Sequence, residues 1–368
     1  MKFIGFCLRR NNKSGIILIV VLWILAILSV LAIGLGRAAR IDLALTKHRI
    51  GKLKADFLTW AAVNYSINQI RLNAETQAKP GQPAVNTLYQ CGVDLRDGKT
   101  TEEIFKNIKL KDGSFNISYV LKEDNNKGQV CYGFQDEERR ININTIDASN
   151  YKILKQLFML LNVEDEKAEA LAAEIADWRD PDSEKINAQY GAEKDDYLAL
   201  AKPYASKDGP FDILEELLLI KDMTPEIFSK IKEYLTVFPQ SDMNFTVNIN
   251  TAPPIVLKAL FRFLAEQNIN SGAGEADSVV EKIVAYRRGD DGIACTADDR
   301  TILTDNSSSL GLFGNESALY QSAINNNYLK GTSAYFRVCA KGMYSQYAVS
   351  SDLETVISGG LLIFWKRK

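Results

Sequence analysis

The feature that most constrains this chain is an uninterrupted apolar run near its N-terminus. Residues 16–36, IILIVVLWILAILSVLAIGLG, contain no charged side chain, and Lys13 and Arg37 flank them. As a helix the run would be about 30 Å long, which matches the hydrocarbon core of a bilayer. It therefore predicts one transmembrane segment. Residues 1–15 contain no acid and four bases, which favours a cytoplasmic N-terminus and a body on the opposite side: Lys2, Arg9, Arg10 and Lys13.

The helical pattern continues beyond the apolar run. No proline occurs between Ile16 and Ile70, so the sequence predicts one helix of about 80 Å. A secretory signal peptide is the closest alternative, but its apolar stretch is normally shorter and ends at a cleavage site. We expect residues 37–72 to form an amphipathic spine packed on the body through the large side chains that recur at helical spacing: Ile50, Leu53, Phe57, Trp60, Ile67 and Ile70.

Two groups of predicted strands lie on either side of a helical stretch. Residues 73–140 contain the first group and residues 326–368 the second, with Ser358-Gly359-Gly360 as the turn before the last strand. Between them, residues 141–325 have helical patterns. We therefore expect one β domain split by a helical insertion. The strands are predicted at residues 115–121, 129–134, 334–341, 346–357 and 361–365.

The helical stretch contains an internal repeat. Ile141-Asn142-Ile143-Asn144-Thr145 recurs as Val247-Asn248-Ile249-Asn250-Thr251, and a Leu-Lys-x-Leu-Phe segment follows each copy. This pattern predicts two copies of one helical unit. We expect the asparagines, or Thr145 and Thr251, to cap the helix that follows each copy.

These features together resemble a known family. Lys13-Ser14-Gly15 before an apolar run is similar to the prepilin peptidase site of type IV pilins, where cleavage after Gly15 would leave an N-methylated Ile16. The doubled Asn-Ile-Asn-Thr unit, the stretch 177–182 and the stretch 191–197 resemble the type II secretion minor pseudopilin K family, also called general secretion pathway protein K. The resemblance covers nearly the whole chain. Residues 1–15 would then be the prepilin leader.

The resemblance implies an α+β fold and a mechanical function. The fold would have a long N-terminal transmembrane and spine helix, and a pilin-like antiparallel β domain split by an inserted helical domain similar to SAM and helix-hairpin-helix domains. The protein would be anchored in the bacterial inner membrane with its body in the periplasm. It would assemble with minor pseudopilins of the I and J types at the tip of the secretion pseudopilus and promote export across the outer membrane. The alternative is an inner-membrane-anchored periplasmic binding protein with a helix-hairpin-helix-like domain.

One position departs from the pilin pattern. Pilins and most pseudopilins have Glu at the fifth mature position, whereas this chain has Val20. A carboxylate buried in lipid or in a fibre core is costly unless it is paired. A subunit that never lies beneath another has no use for that carboxylate, so Val20 favours the terminal position in a fibre.

Nucleic-acid binding and enzymatic activity are both disfavoured. Beyond the first 15 residues the chain has 40 basic and 46 acidic side chains, and nucleic-acid binding needs a basic face. The segments that would bind phosphate in DNA-binding helical hairpins are acidic here. His48 is the only histidine and lies between Lys47 and Arg49 on the predicted spine, so no histidine-dependent catalytic triad is expected.

Calcium is the expected cofactor, because acid-rich loops supply the oxygen ligands that it prefers. The resemblance also implies calcium in the helical domain. The candidate ligands form two groups: Glu193, Asp195 and Asp196, and Asp290, Asp291, Asp298 and Asp299. Export to an oxidising compartment makes one or two disulfides plausible among the four cysteines outside the leader: Cys91, Cys131, Cys295 and Cys339.

Overall fold

The computed structural model describes residues 14–77, 98–121, 128–240, 244–268, 271–296, 298–304 and 307–367. Its helices and strands confirm the predicted α+β class and the split sheet. The helices are α1 (Ser14–Gln77), α2 (Thr101–Phe105), α3 (Lys152–Leu160), α4 (Asp165–Arg179), α5 (Lys194–Leu198), α6 (Pro225–Ile231), α7 (Pro254–Gln267), α8 (Ala273–Arg287) and α9 (Asn315–Asn325). The strands are β1 (Ile108–Leu110), β2 (Gly113–Leu121), β3 (Gln129–Tyr132), β4 (Gln135–Asp136), β5 (Ile141–Asn142), β6 (Leu235–Thr236), β7 (Val247–Asn248), β8 (Leu329–Lys330), β9 (Tyr335–Tyr344), β10 (Val349–Ser358) and β11 (Leu361–Arg367).

The main sheet joins strands from both ends of the chain. Its order is β1-β2-β9-β10-β11, with β3 paired to β2 and β4 paired to β9, and every pair is antiparallel. Gly113 lies opposite Tyr344, and Ile117 lies opposite Ala340. The turn before β11 has positive φ at both Gly359 and Gly360, a conformation in which glycine is favoured. The strands on either side of the helical insertion therefore form one sheet.

The C-terminal half of α1 packs on this sheet through small residues. Thr59 accepts a hydrogen bond from the Gly342 backbone N–H at 3.1 Å and donates one to the Ser351 carbonyl at 3.0 Å. A Cβ added at Gly342 would lie 2.4 Å from the Ala55 carbonyl oxygen, so glycine is needed for this close approach. The buried face of α1 is formed by Ala55, Leu58, Thr59, Ala62, Val63 and Ser66.

This packing corrects half of the predicted spine. Ile50, Leu53 and Phe57 are 43%, 58% and 73% exposed, so they do not face the sheet. Because the helix and sheet backbones lie so close together, small side chains fill the interface and the bulky ones lie outside it. Trp60, Ile67 and Ile70 are partly buried against the core beneath α1, as predicted.

The helical insertion contains two similar units that share one apolar core. In the first unit, a parallel pair of short strands (β5 and β6) accompanies the helical hairpin of α3 and α4. In the second unit, β7 and β8 accompany α7 and α8 in the same way.

The repeated asparagines have a different role from the predicted one. Asn144 donates to the Phe211 and Val237 carbonyls and accepts from the Phe211 N–H. In the second unit Asn250 makes the same three contacts, with the carbonyls of Ile302 and Gly331 and the N–H of Ile302. These side chains therefore tie neighbouring extended segments together.

The capping prediction for α3 and α7 is wrong, because neither helix has a side-chain cap. Asn142 caps only the short 3-10 turn Ile143–Thr145. Thr145 donates to the Asn142 carbonyl, and Thr251 donates to the Asp136 carboxylate. Thr145 therefore stabilises its own turn, whereas Thr251 links its turn to the main sheet.

Three consecutive acids join the sheet to the helical insertion. Asp136 accepts hydrogen bonds from Asn248 and Thr251 of the second unit. Glu137 accepts from Thr236 of the first unit and pairs with Arg140 at 2.7 Å and with Arg337 of β9. The third acid, Glu138, pairs with Lys330 of β8 and accepts from the Ala334 N–H. The two parts are thus fixed to each other by buried polar contacts.

Candidate membrane anchor and metal site

The N-terminal part of α1 projects from the body. The helix contains a candidate membrane span, whose most apolar 18-residue window has a mean hydropathy of 3.4 and no buried residue. Ile16 is 65% exposed and Val20 is 50% exposed. Such a surface is stable only in a lipid or protein environment. The single helix fits a single-pass membrane anchor.

The cleavage candidates lie at the beginning of this helix. Gly15 and Ile16 are both exposed, and a Cβ added at Gly15 would meet no atom within 4 Å. Lys13 lies outside the described residues. The proposed cleavage after Gly15 therefore remains a prediction.

A cluster of three buried or half-buried acids lies where α4 meets the loop that follows it. Asp177 lies in the last turn of α4, Asp180 directly follows α4, and Glu193 directly precedes α5. One carboxylate oxygen from each lies within 4.8 Å of the others. Asp177 is fully buried and Glu193 is 5% exposed. Helix and loop thus bring three negative groups together inside the protein.

Backbone contacts from the loop hold Asp177 in place. Its carboxylate accepts hydrogen bonds from the Ile186 N–H and the Ala192 N–H, both at 2.9 Å. A Cβ added at Gly191 would lie 2.2 Å from the Asp177 carboxylate, so glycine permits the loop to wrap around it. Local structure therefore positions this acid.

The electrostatics of the cluster favour a cation. Burial, together with the nearby carboxylates of Asp177 and Asp180, raises the pKa of Glu193 to about 7. Burial likewise raises the pKa of Asp177 and of Asp180, each to about 6. Both Glu193 carboxylate oxygens and Oδ1 of Asp180 are buried without a hydrogen-bond partner. Unsatisfied buried oxygens are costly, and a divalent cation would satisfy all three.

The sequence prediction identified only one member of this cluster. Glu193 belongs to it, whereas Asp195 is exposed on α5. Asp196 accepts from the Glu193 N–H and pairs with Lys185 at 2.9 Å, so its carboxylate has other partners. Asp177 and Asp180 are not among the predicted ligands, although they lie in the stretch that supports the family resemblance.

The second predicted group forms a self-contained loop after α8. Asp298 accepts from the N–H groups of Asp290 and Asp291 at 2.7 and 3.2 Å and from the Thr296 hydroxyl. The Thr296 hydrogen bond is the largest influence on the pKa of Asp298, which is lowered to about 2. Asp299 accepts from the Cys295 N–H, and burial raises its pKa to about 6. Within the described residues, these four acids form no cluster comparable to the first.

The structure describes three of the four cysteines that were predicted as disulfide candidates. Cys295 is disulfide-bonded, Cys131 is buried and Cys339 is half-buried. Cys131 lies opposite Tyr119 on β2, and Cys339 lies opposite Glu354 on β10, so neither strand register places two cysteines together. Cys91, the remaining candidate outside the leader, lies outside the described residues. The disulfide connectivity among these cysteines therefore stays a prediction.

Comparisons with known proteins agree with this architecture. Residues 113–240 match the family model described as type II secretion system (T2SS), protein K. The type II secretion system protein K of Pseudomonas aeruginosa strain PAO1 is 23% identical over 283 residues, which cover 74% of this chain and 73% of that protein. The Aeromonas hydrophila protein of the same name is 22% identical over 66% of this chain and 69% of its own length.

The chain is thus similar to type II secretion system protein K over about two thirds to three quarters of its length. A chain of the crystal structure of the GspK-GspI-GspJ complex from the enterotoxigenic Escherichia coli type 2 secretion system has the same fold. The TM-score is 0.52 at 15% identity, and the match covers 90% of this chain and 99% of that one. This similarity supports a minor pseudopilin role in type II secretion, which is a structural role and not typical of an enzyme.

Proposed function

We propose that this minor pseudopilin forms part of the tip of the type II secretion pseudopilus and promotes protein export across the outer membrane. The observation that carries the proposal is the division of α1. Its apolar N-terminal part is exposed, whereas its C-terminal part is fixed to a large folded head. A membrane helix can associate laterally with similar helices. A wide head on such a stalk would hinder a further subunit from stacking above it.

The partners follow from the same proposal. The solved relative comes from a complex of GspK with GspI and GspJ, so we propose pseudopilins of the I and J types as the partners here. The test is purification of the full chain in detergent together with the I-type and J-type pseudopilins of its own secretion system. We expect one complex containing all three. Elution of this chain as a separate species at micromolar concentrations would contradict the proposal.

Membrane insertion and processing form the second part of the proposal. We propose that prepilin peptidase cuts after Gly15 in the inner membrane, that Ile16 is then N-methylated, and that the head lies in the periplasm. Intact mass measurement of the chain from its host membrane tests this. The expected mass lacks residues 1–15 and includes one added methyl group. An uncut chain would instead favour the anchored binding protein.

Calcium binding by Asp177, Asp180 and Glu193 is the third part. Calcium prefers six to eight oxygen ligands, and this cluster offers buried carboxylate oxygens without other partners. Bound calcium would hold the loop 180–193 against α4. The acids Asp290, Asp291, Asp298 and Asp299 are proposed as a second and separate calcium loop.

Thermal unfolding of the full chain in detergent tests the calcium proposal. Excess calcium should raise the midpoint by about 5 °C relative to chelator, because a ligand that binds only the folded state stabilises it. Asp180→Asn should remove most of this increase if the first cluster is responsible. Asp298→Asn is the matched variant for the second loop. An equal midpoint with calcium and with chelator in the unsubstituted chain would contradict both sites.

A further inference from the structure

Strand β11 forms one edge of the main sheet and has an unusual surface for an edge strand. Within the described residues, β11 pairs only with β10. Four of its seven residues are apolar and exposed, with exposed fractions of 66%, 37%, 45% and 54%: Leu361, Leu362, Ile363 and Trp365. Long apolar edges tend to pair with other strands, and soluble proteins usually protect them. This edge is therefore expected to be covered in the assembled protein.

The opposite edge of the sheet differs in length. There, β1 consists of the three residues Ile108–Leu110, which is too short to serve as a template for a long added strand. The two edges are thus not equivalent, because β11 offers more than twice as many residues as β1 for pairing with an added strand.

The position of β11 is fixed from both faces of the sheet. Trp365 packs edge-on against Trp60 of α1, with ring centroids 6.2 Å apart. Phe364 packs against Phe238 of the helical insertion, with centroids 6.1 Å apart. Because both contacts lie within the same chain, β11 is held in an extended conformation before any partner arrives. A preorganised edge loses little conformational entropy on binding.

The charge at the two ends of β11 distinguishes between the strands that could pair with this edge. The first end of β11 lies beside Arg71, since a Cβ added at Gly360 would be 2.8 Å from its guanidinium. The other end carries Lys366 and Arg367, which lie 3.7 and 3.6 Å from acids of the same chain but remain 62% and 52% exposed. Antiparallel pairing of two copies of β11 would therefore bring basic side chains of one copy against those of the other. A strand with acidic residues at its ends is electrostatically complementary.

We propose that β11 accepts an extended segment of a partner pseudopilin, which adds as a further strand of the main sheet. The segment would carry alternating apolar residues and acidic residues at its ends. Main-chain hydrogen bonds would supply affinity, and the apolar side chains of β11 would supply contacts on the two faces of the sheet. The inference rests on the proposed association with other pseudopilins and specifies the surface that this association uses.

Hydrogen exchange provides the direct test. The full chain in detergent is compared alone and with its I-type and J-type pseudopilins, and exchange of the β11 amides is followed by mass spectrometry. Strand addition should slow the outward-facing amides of β11 by about tenfold or more, since they gain hydrogen bonds. Unchanged exchange of β11 within a formed complex would overturn the inference while leaving the proposed function intact. If no complex forms, the proposed function fails and this inference fails with it.

A paired set of variants tests the same edge by affinity. Lysine on an edge strand opposes pairing, so Leu361→Lys combined with Ile363→Lys should weaken the Kd for the partner by about tenfold. Phe313→Lys is the matched control, because Phe313 is 78% exposed on the helical insertion and away from β11. Equal affinity of both variants would overturn the inference, provided that their thermal midpoints match that of the unsubstituted chain. Protection of β11 that increases with the concentration of this chain alone would show a second copy as the occupant and would also overturn it.

Discussion

The two units of the helical insertion have the same framework and different loops. In each, an arginine at the C-terminal end of the second helix binds the asparagine-containing turn. Arg179 donates to the Asn144 carbonyl, and Arg287 donates to the Ile249 and Ala252 carbonyls. In the first unit the loop that follows donates backbone N–H groups to the buried Asp177 carboxylate, whereas in the second unit it donates them to the exposed Asp298 carboxylate. A repeated framework can therefore carry two loops of different chemistry.

Aligning the two units on these arginines explains why the buried acid cluster occurs once. Asp177 of the first unit corresponds to Ala285 of the second, and Asp180 corresponds to Arg288. The second unit thus has a methyl group and a guanidinium where the first has two carboxylates. Its loop instead satisfies its acids with its own N–H groups and the Thr296 hydroxyl. Any cation bound there must use a different arrangement of ligands.

The largest expected difference concerns how each unit is attached to the sheet. Glu137, which contacts the first unit, is fully buried between Arg140 and Arg337, so Glu137→Gln should destabilise the protein by about 3 to 5 kcal/mol. Asp136, which contacts the second unit, is bound mainly by neutral donors, so Asp136→Asn should cost about 1 to 2 kcal/mol. Denaturant unfolding of both variants measures this. Equal costs would show that the ion pairs of Glu137 stabilise the protein no more than the neutral hydrogen bonds of Asp136 do.

The same two acids should give opposite pH dependences. Burial raises the pKa of Asp136 to about 6 from 3.8, so its contribution to stability is fully present below pH 3.8 and is lost as pH rises through 6. The free energy of unfolding of the unsubstituted chain should therefore fall by about 2 to 3 kcal/mol between pH 4 and 7 because of Asp136. In Asp136→Asn this contribution to the fall should be absent.

For Glu137, burial alone would raise the pKa, but the guanidinium groups of Arg140 and Arg337 outweigh it and lower the pKa to about 2 from 4.5. Its contribution is present above pH 4.5 and is lost as pH falls toward 2. Glu137→Gln should leave the pH dependence of the free energy of unfolding unchanged between pH 4.5 and 7. Below pH 4.5 the variant should lose less of this free energy than the unsubstituted chain does. Free energies of unfolding measured across pH 2 to 7 distinguish the contribution of Asp136 from that of Glu137. Identical pH profiles for the two variants would contradict the opposite pH dependences expected for these acids.

A smaller difference is expected at the repeated asparagines. Asn144 is buried, and its removal leaves three backbone groups unsatisfied, so Asn144→Ala should cost about 3 kcal/mol. Asn250 makes the matching contacts but is only half-buried, so water can replace part of them and Asn250→Ala should cost about 1 to 2 kcal/mol. The measurement is denaturant unfolding. A larger loss of stability in Asn250→Ala than in Asn144→Ala would contradict the expected effect of burial.

The smallest difference is expected for the ion pair in each acid-rich loop. Lys185 and Asp196 of the first loop are 33% and 24% exposed, so Lys185→Gln should cost about 1 kcal/mol. Arg300 and Asp290 of the second loop are 45% and 85% exposed, so Arg300→Gln should cost less than about 0.5 kcal/mol. Thermal unfolding in chelator measures both. A larger loss at Arg300 would show that the second loop is the more rigid of the two.

Periodicity and turn residues predicted much of the fold. The uncharged run before Arg37 indicated the anchor, and alternation with Gly359 and Gly360 indicated the last hairpin. The pattern misassigned Phe57, because hydrophobic periodicity favours large side chains, whereas the contact between α1 and the sheet depends on the small ones around Thr59. Close backbone approach at Gly342 is a tertiary property that no local pattern contains.

The acid cluster shows the same limit. Glu193 could be chosen from the sequence because acids surround it. Its partner Asp177 could not, because the loop between them must first close around that carboxylate, and closure depends on the lack of a side chain at Gly191. The asparagines Asn144 and Asn250 were noticed as a repeat, but their partners are distant in sequence and appear only in the folded protein.

The division of the sheet between the two ends of the chain determines the order in which the head can be completed. The hydrogen bond between Thr59 and Ser351 spans 292 residues, so the strands β9 and β10 that α1 contacts are synthesised long after α1. Contacts this distant in sequence form slowly. While the polypeptide is still emerging from the ribosome, α1 can already be inserted in the bilayer with its small-residue face bare. Attachment of the C-terminal half of α1 to the head must therefore wait until β9 and β10 have been synthesised.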